Sequence, residues 1–477
     1  MDIMTPEGII SFRGVALPPT FGLVLPILRA LGVAEIVDTL CPMKAGNHIR
    51  HGTIVEFLIL HYLQAAEEVP LYKMEFWAEQ CNVHLLFGRE ACEFNDDRIR
   101  RTLEAIYPKL AEIEEAIVAA ALRLYNVPTD VVDWDLTHIT FAGLHEGSAY
   151  VGPGYGDGLM HHKQVHLTVH STNRYGLPVL HRMLPGNAQQ APYAAELLDA
   201  VQERLGRKDV LILSDCAGIT YDIMRQYREK GAHFLGPLAM TPAEREQLNS
   251  VPLADFRPFK YRSVKDAECV HSYYDTTLDI VRQREATPIT VRALFTHTTT
   301  RQQADSRDRR RHIKRITDRL DKISSYLNTG KYKRLAYAQE QVDKAVRDMP
   351  HIVSATLSGS DGDLQLQVTV DEDAIAREEQ FDGRRILVTS KRHAEPDQLY
   401  EAYKRHTTIE AAFRIVKGEI RVNAIFLHTD ERIAALLATV ILALLVFALI
   451  GILAERAKLE TEHYHKMMTF FDVFLLQ

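Results

Sequence analysis

A chain of 477 residues with 46% hydrophobic and 25% charged side chains has room for two or three domains, and its balance excludes a disordered or fibrous protein. A net charge of −7 excludes a global basic field, so any nucleic-acid role must rest on local patches. The five cysteines (Cys41, Cys81, Cys92, Cys216, Cys269) are scattered without a Cys-x-x-Cys pair, which argues against a zinc site or disulfide framework and for reduced thiols in a cytoplasm.

Residues 1–125 read as all-helical. Gly22 to Leu31 and Thr53 to Gln64 carry apolar positions at helical spacing, and Asn95-Asp96-Asp97 caps a helix starting at Arg98. The start, Met1-Asp2-Ile3-Met4, lacks the charged-then-apolar form of a signal peptide. A strand-rich region follows. Asp130 to Thr137 has strand composition, and alternation places Asp133, Asp135 and Thr137 on one side. Both Asp133 and Asp135 are therefore candidates for a carboxylate on that face. Strands are expected at about Gln164 to His170 and Leu177 to Leu184, then a helix over Ala191 to Leu205. The apolar run Val210 to Ser214 suits a central strand buried on both faces. Asp215 ends it, where open α/β sheets place their sites; the alternative is that it merely caps the helix expected over Tyr221 to Lys230.

Between Gly236 and Gly383 the pattern is interrupted by a β-rich stretch and then a basic block, Arg301 to Arg334. The block holds twelve Lys/Arg against four Asp, an excess of eight, so the rest of the chain carries −15. Arg310, Arg311, Lys314 and Arg315 belong to one expected helix, either a solvated face or a surface for phosphates. An apolar strand, Arg384 to Thr389, comes next. From about Pro396 a helix is expected, on which Tyr403, His406, Glu410, Arg414 and Lys417 are spaced by three, four, four and three residues and so share one face. A lone carboxylate among cationic and hydrogen-bonding groups suits a place where a metal and phosphates meet, and equally a solvated face with i,i+4 pairs such as Glu410 with Arg414. Ile433 to Ala454 is an uncharged run of 22 residues. About 20 apolar residues can span a bilayer, but a helix apolar all round also suits a large core, and a helix buried against the sheet is expected.

The stretch around Glu410 resembles the Tyr-x2-Arg-x3-Glu-x6-Lys signature of bacterial insertion-sequence DDE transposases, with Tyr403, Glu410 and Lys417 in place and His406 where the family has Arg. The N-terminal "LPPTFGLVLPILRALGVAEIVDTL" and the later "NDDRIRRTLEAIY" resemble the helical domain of one subgroup. The resemblance implies an α/β fold: a ribonuclease-H-like mixed sheet flanked by helices, with an all-helical N-terminal domain and a β-rich plus helical insertion. It implies domains at 1–125 (DNA-end binding or dimerisation), 126–236 and 381–460 (the two parts of the catalytic core) and 237–380 (the insertion), with a tail at 461–477. It implies Asp135, Asp215 and Glu410 as catalytic metal ligands for Mg²⁺, with Mn²⁺ able to substitute. Tyr403, Arg405, His406, Arg414 and Lys417, with Arg310, Arg311, Lys314 and Arg315, would bind DNA. The implied activity is cleavage of transposon ends and joining of the 3′-hydroxyl to target DNA, by a homodimer when DNA is bound and with no membrane involved. The alternatives are an inactive relic that only binds DNA and a ribonuclease-H-like nuclease without strand transfer.

Overall fold

The computed structural model describes residues 2–5, 8–11, 17–43, 49–64, 69–141, 143, 145–154, 163–188, 191–263, 268–281, 287–418, 427 and 429–457. Lys417 is described as helical backbone without its side chain, and the tail beyond 457 lies outside these residues. The chain divides into two units, Met1–Leu235 with Ala402–Gln477, and Gly236–Glu401.

The first unit opens with a short antiparallel pair, β1 (Asp2–Thr5) and β2 (Gly8–Ser11), so these residues, expected to be helical, are strands. Seven helices follow: α1 (Pro19–Leu31), α2 (Val33–Leu40), α3 (His51–Gln64), α4 (Met74–Gln80), α5 (Val83–Phe87), α6 (Asp96–Ile106) and α7 (Leu110–Leu124). The Asn95 side chain accepts from the Arg98 N–H at 2.9 Å, the cap that the residue type suggests. α3 is buried almost all round, and Gly52 makes this possible: a Cβ there would stand 2.3 Å from the Ala34 carbonyl oxygen of α2.

The sheet of this unit consists of β3 (Val131–Thr140), β4 (Gly152–Pro153), β5 (Lys163–Thr172), β6 (Pro178–Pro185), β7 (Leu211–Ser214) and β8 (His233–Pro237), with α8 (Ala194–Leu205) and α9 (Tyr221–Glu229) as crossover helices. Its order is β6-β5-β3-β7-β8: the first three strands are antiparallel, and β3, β7 and β8 run parallel. This mixed order with flanking helices is the ribonuclease-H-like fold. β7 is buried along its whole length, as a parallel strand covered on both faces must be. On the face of β3 opposite the aspartates, Trp134 donates its Nε1–H to Thr168 at 2.7 Å and stacks on His170, fixing β3 against β5.

The second unit contains α10 (Pro242–Asn249), β9 (Arg257–Pro258), β10 (His271–Ile280), β11 (Ile289–Thr298), α11 (Thr299–Tyr326), α12 (Leu335–Val346), β12 (Val353–Ser360), β13 (Asp363–Val370), α13 (Glu372–Glu379) and β14 (Arg384–Thr389). β9, β10, β11 and β14 form an antiparallel array, and β12 with β13 a separate hairpin. One stripe of α11, Ile316, Leu320 and Ile323, packs with α12 and the hairpin into a local core. α14 (Pro396–Arg405) then leads back to the first unit.

There the helix expected to be continuous is broken: His406 stands between α14 and α15 (Thr407–Gly418). The His406 N–H bonds to the Tyr403 carbonyl, and the Ile409 N–H to the His406 carbonyl, so both bonds span three residues instead of four. Among the described residues the last helix is α16 (Asp430–Arg456). Its start is held by Asp430, whose carboxylate accepts from Ser148 Oγ at 2.5 Å and the Ala149 N–H at 2.9 Å. It is long and apolar enough to cross a membrane, yet Ile433 to Ala454 is buried almost throughout, against α1, α3, α6, α7 and β6.

Candidate active site

β3 and β7 are parallel and in register through Trp134 and Ser214, so the next residues, Asp135 within β3 and Asp215 just past the end of β7, stand at one level where the parallel pairing stops. Adjacent strands lie about 4.8 Å apart, which makes the two carboxylates neighbours at the carboxyl end of the parallel pair. Asp215 is exposed, and its Oδ1 accepts from the N–H groups of Ala217 at 2.9 Å and Gly218 at 3.1 Å. It therefore caps the turn Cys216–Gly218 while standing beside Asp135. Gly218 allows that turn to close: a Cβ there would come within 2.5 Å of Ser214 Oγ.

Glu410 is exposed in the first turn of α15, which packs on β3. Asp135 registers both other carboxylates. Its pKa is pushed up to about 6, first by burial and then by the charges of Asp215 and Glu410, against the downward pull of the Leu136 N–H and His406. Carboxylate oxygens are preferred ligands of a divalent cation, and Asp135 with Asp215 and Glu410 supplies that donor type. Among the described residues, no three His, Cys, Asp or Glu side chains stand close enough to enclose one ion.

Asp133, on the same face two residues earlier, has a different place. It has no exposed surface; His406 Nδ1 lies 2.9 Å from its Oδ1, and Asn173 Nδ2 lies 3.1 and 3.0 Å from its two oxygens. The same Asn173 nitrogen is 3.0 Å from the Ala402 carbonyl of α14. Burial pushes Asp133 up, with His406 and Asn173 pulling it back; burial pulls His406 down, but the hydrogen bond and charge of Asp133, helped by Asp135 and Glu410, carry it above its ordinary value. These directions compete for one proton. We place it on His406, because that ring faces three carboxylates whereas Asp133 already accepts from Asn173.

Of the residues expected to meet DNA, Arg405 and Arg414 are exposed, and Tyr403 is half-buried. His406 is 7% exposed and turned toward Asp133, so its ring faces inward and is not a surface contact. The side chain of Lys417 lies outside the described residues. Arg310, Arg311, Lys314 and Arg315 are exposed on α11 of the second unit, where Arg311 pairs with Asp308, Lys314 with Asp318 and Arg315 with Asp348. In the same block Arg309 is buried and grips Asp382 with both nitrogens, at 2.8 and 2.5 Å. Neither Arg309 nor Asn173 stands out from residue type or spacing alone. Asn173 in "TNRYG" reads as a turn residue, and only the pairing of β3 with β5 brings it to Asp133.

Two carboxylates where the parallel pairing of adjacent strands stops, with a third on a late helix, define a carboxylate-bearing ribonuclease-H-like protein. A family model described as "Transposase DDE domain" matches residues 127–446, and the chain belongs to that family. A second model, described as a domain of unknown function (DUF4277), matches residues 19–118. Among solved structures, the chain is similar to the piggyBac transposase in a synaptic complex with hairpin DNA, at 8% identity over 94% of this chain and 85% of that one, with a TM-score of 0.31. It is also similar to the Mos1 transposase in a paired-end complex with its left transposon end, at 14% identity over 43% and 63%, with a TM-score of 0.17. A Mos1 mariner paired-end complex with Mn shows 12% identity over 46% and 78%, with a TM-score of 0.16. No curated protein matches the sequence.

Proposed function

We propose that this chain is a DNA transposase that cuts transposon ends and joins the freed 3′-hydroxyl to target DNA, with Asp135, Asp215 and Glu410 holding divalent metal, Mg²⁺ or Mn²⁺. The observation that carries this reading is the register of β3 with β7, which sets Asp135 beside Asp215, together with the packing on β3 of α15, whose first turn bears Glu410 195 positions after Asp215. A divalent cation bound there neutralises phosphate oxygens and lowers the pKa of the attacking hydroxyl or water.

The chain's own groups have separable tasks. Asp135, raised first by burial and then by its carboxylate neighbours, would bind the ion in its ionised form. Asp215, held by two backbone N–H groups, keeps its second oxygen for the ion. Glu410 completes the set from α15, and Asp133 with His406 braces the break that aims α15 at β3. Tyr403, Arg405, Arg414 and Lys417 position the DNA backbone. We assign the chain to the cytoplasm, acting as a homodimer on paired ends, because two ends must be cut and joined together.

The test is joining of a labelled transposon end in the presence of divalent metal. Glu410→Gln keeps the shape of the side chain and removes a charged ligand, so cleavage should fall by orders of magnitude while end binding persists. Equal cleavage by Glu410→Gln and wild type would refute the assignment.

A further inference from the structure

The second unit carries a surface that the catalytic reading does not use. α11 ends at Tyr326, and the chain returns through a 3-10 turn, Gly330–Lys333, into α12. Over this return the sequence is Lys331-Tyr332-Lys333-Arg334, and all three cations are exposed. Among the described residues none of the three is paired with a carboxylate, in contrast to Arg311, Lys314 and Arg315 along the same helix. Lys322 adds a fourth exposed cation one helical turn before Tyr326. Two carboxylates lie nearby on the turn of the β12–β13 hairpin. Asp361 accepts from the Leu335 N–H at 2.9 Å, and Asp363 is exposed.

Aromatic rings are interleaved with these charges. Tyr332 packs on the local core and is the centre of a cluster, with Tyr326 at 5.8 Å and Tyr337 at 5.1 Å between ring centroids. Tyr326, the outermost, is 55% exposed. The loop itself is fixed. Asn328 takes a left-handed backbone at φ 64° and exchanges two hydrogen bonds with Leu364 of β13, at 2.7 and 3.1 Å, while the Lys333 carbonyl accepts from the Gly362 N–H at 2.8 Å. A half-exposed ring on a rigid support, flanked by unpaired cations, has the parts of a single-strand platform: charge tracks the backbone, and a base lies on the ring.

We infer that Tyr326 with Lys331, Lys333 and Arg334 forms a docking surface for an unpaired nucleic-acid strand, separate from the carboxylate site. The inference rests on the reading of the chain as a DNA-processing enzyme, and it adds a place where a strand freed by that processing is held. Phosphates would lie on the three cations and one base on Tyr326.

The experiment uses the full chain and a fluorescent 20-nucleotide oligo-dT, with binding followed by anisotropy across a salt titration, and a duplex of equal length as the second probe. Tyr326→Ala should weaken single-strand binding by about five- to a hundredfold, as loss of one stacked base does, and Tyr326→Phe should retain it. Lys331→Ala/Lys333→Ala/Arg334→Ala should flatten the single-strand salt slope by about two, at roughly 0.7 per phosphate contact. Duplex binding should change less than twofold with Tyr326→Ala. Unchanged single-strand affinity and slope, or an equal loss on duplex and single strand, would overturn the inference. Because Glu410→Gln joining is measured separately, failure of this surface and failure of the catalytic assignment give different results.

Discussion

Asp133 and Asp135 stand two residues apart on one face of β3, yet they have opposite surroundings. Asp133 has no exposed surface and is matched by a cation and an amide, whereas Asp135 is half-buried and faces two further carboxylates. Removing one partner of a buried pair leaves the other charge uncompensated, so Asp133→Asn should cost about 3 kcal/mol in urea unfolding. His406 has its pKa raised in the fold, so the stabilisation it gains is fully present below its ordinary 6.5 and is lost as pH rises through the folded value. The gap between wild type and Asp133→Asn should therefore narrow as pH rises above 6.5, and a gap that widens there would contradict the pairing. An arginine in place of His406 would also present a cation to Asp133, which gives the departure from the family signature a physical reading. Asp135 behaves in the other direction. Its pKa is raised to about 6, so without metal its ionisation destabilises the fold progressively as pH rises from the ordinary 3.8 through 6. Metal must displace that proton, so Mn²⁺ affinity by calorimetry should fall about tenfold per pH unit below 6, with proton release above zero at pH 6. An affinity flat between pH 5 and 7 would show that Asp135 is not a ligand.

At the scale of elements, local patterns were legible and aim was not. Alternation in 131–137 and an apolar run ending in Asp215 are properties of a few consecutive residues, and both strands form where those patterns place them. Helical spacing likewise announced a helix carrying Glu410, but a period of 3.6 cannot reveal the break at His406. That break is set by a contact with Asp133, 273 positions away. The apolar helix α16 shows the same limit: composition allowed a bilayer or a core, and burial against helices from the first 124 residues decides for the core. Leu437, without exposed surface, is a sensitive probe. Leu437→Ala should cost about 2–5 kcal/mol in denaturant unfolding of detergent-free protein, as deletion of a packed leucine does. A cost near zero would show that the helix does not pack in the protein core.

Over the whole molecule, charge is segregated: the basic block carries +8 while the remainder carries −15. Of the carboxylates paired with cations of α11, Asp308 and Asp318 are already counted in that excess and only Asp348 comes from outside the block, while Arg307 and Arg310 stand beside an open groove with Gln302, Gln303, Ser306, Glu379 and Asp382. End binding should weaken with salt, and neutralising Arg310, Arg311, Lys314 and Arg315 together should flatten that slope, by at most about four units and by less to the extent that the pairs persist on DNA. Equal slopes for wild type and the quadruple variant would make α11 a solvated helix.

The central claim is that Asp135, not its neighbour Asp133, joins Asp215 and Glu410 in metal-dependent chemistry. The most direct measurement is joining of a labelled transposon end, in Mg²⁺ and in Mn²⁺, by Asp135→Asn with its unfolding midpoint measured in parallel. We predict turnover reduced by orders of magnitude, stability equal to or above wild type because a repelling charge is gone, and retained end binding. Wild-type joining by Asp135→Asn would contradict the account.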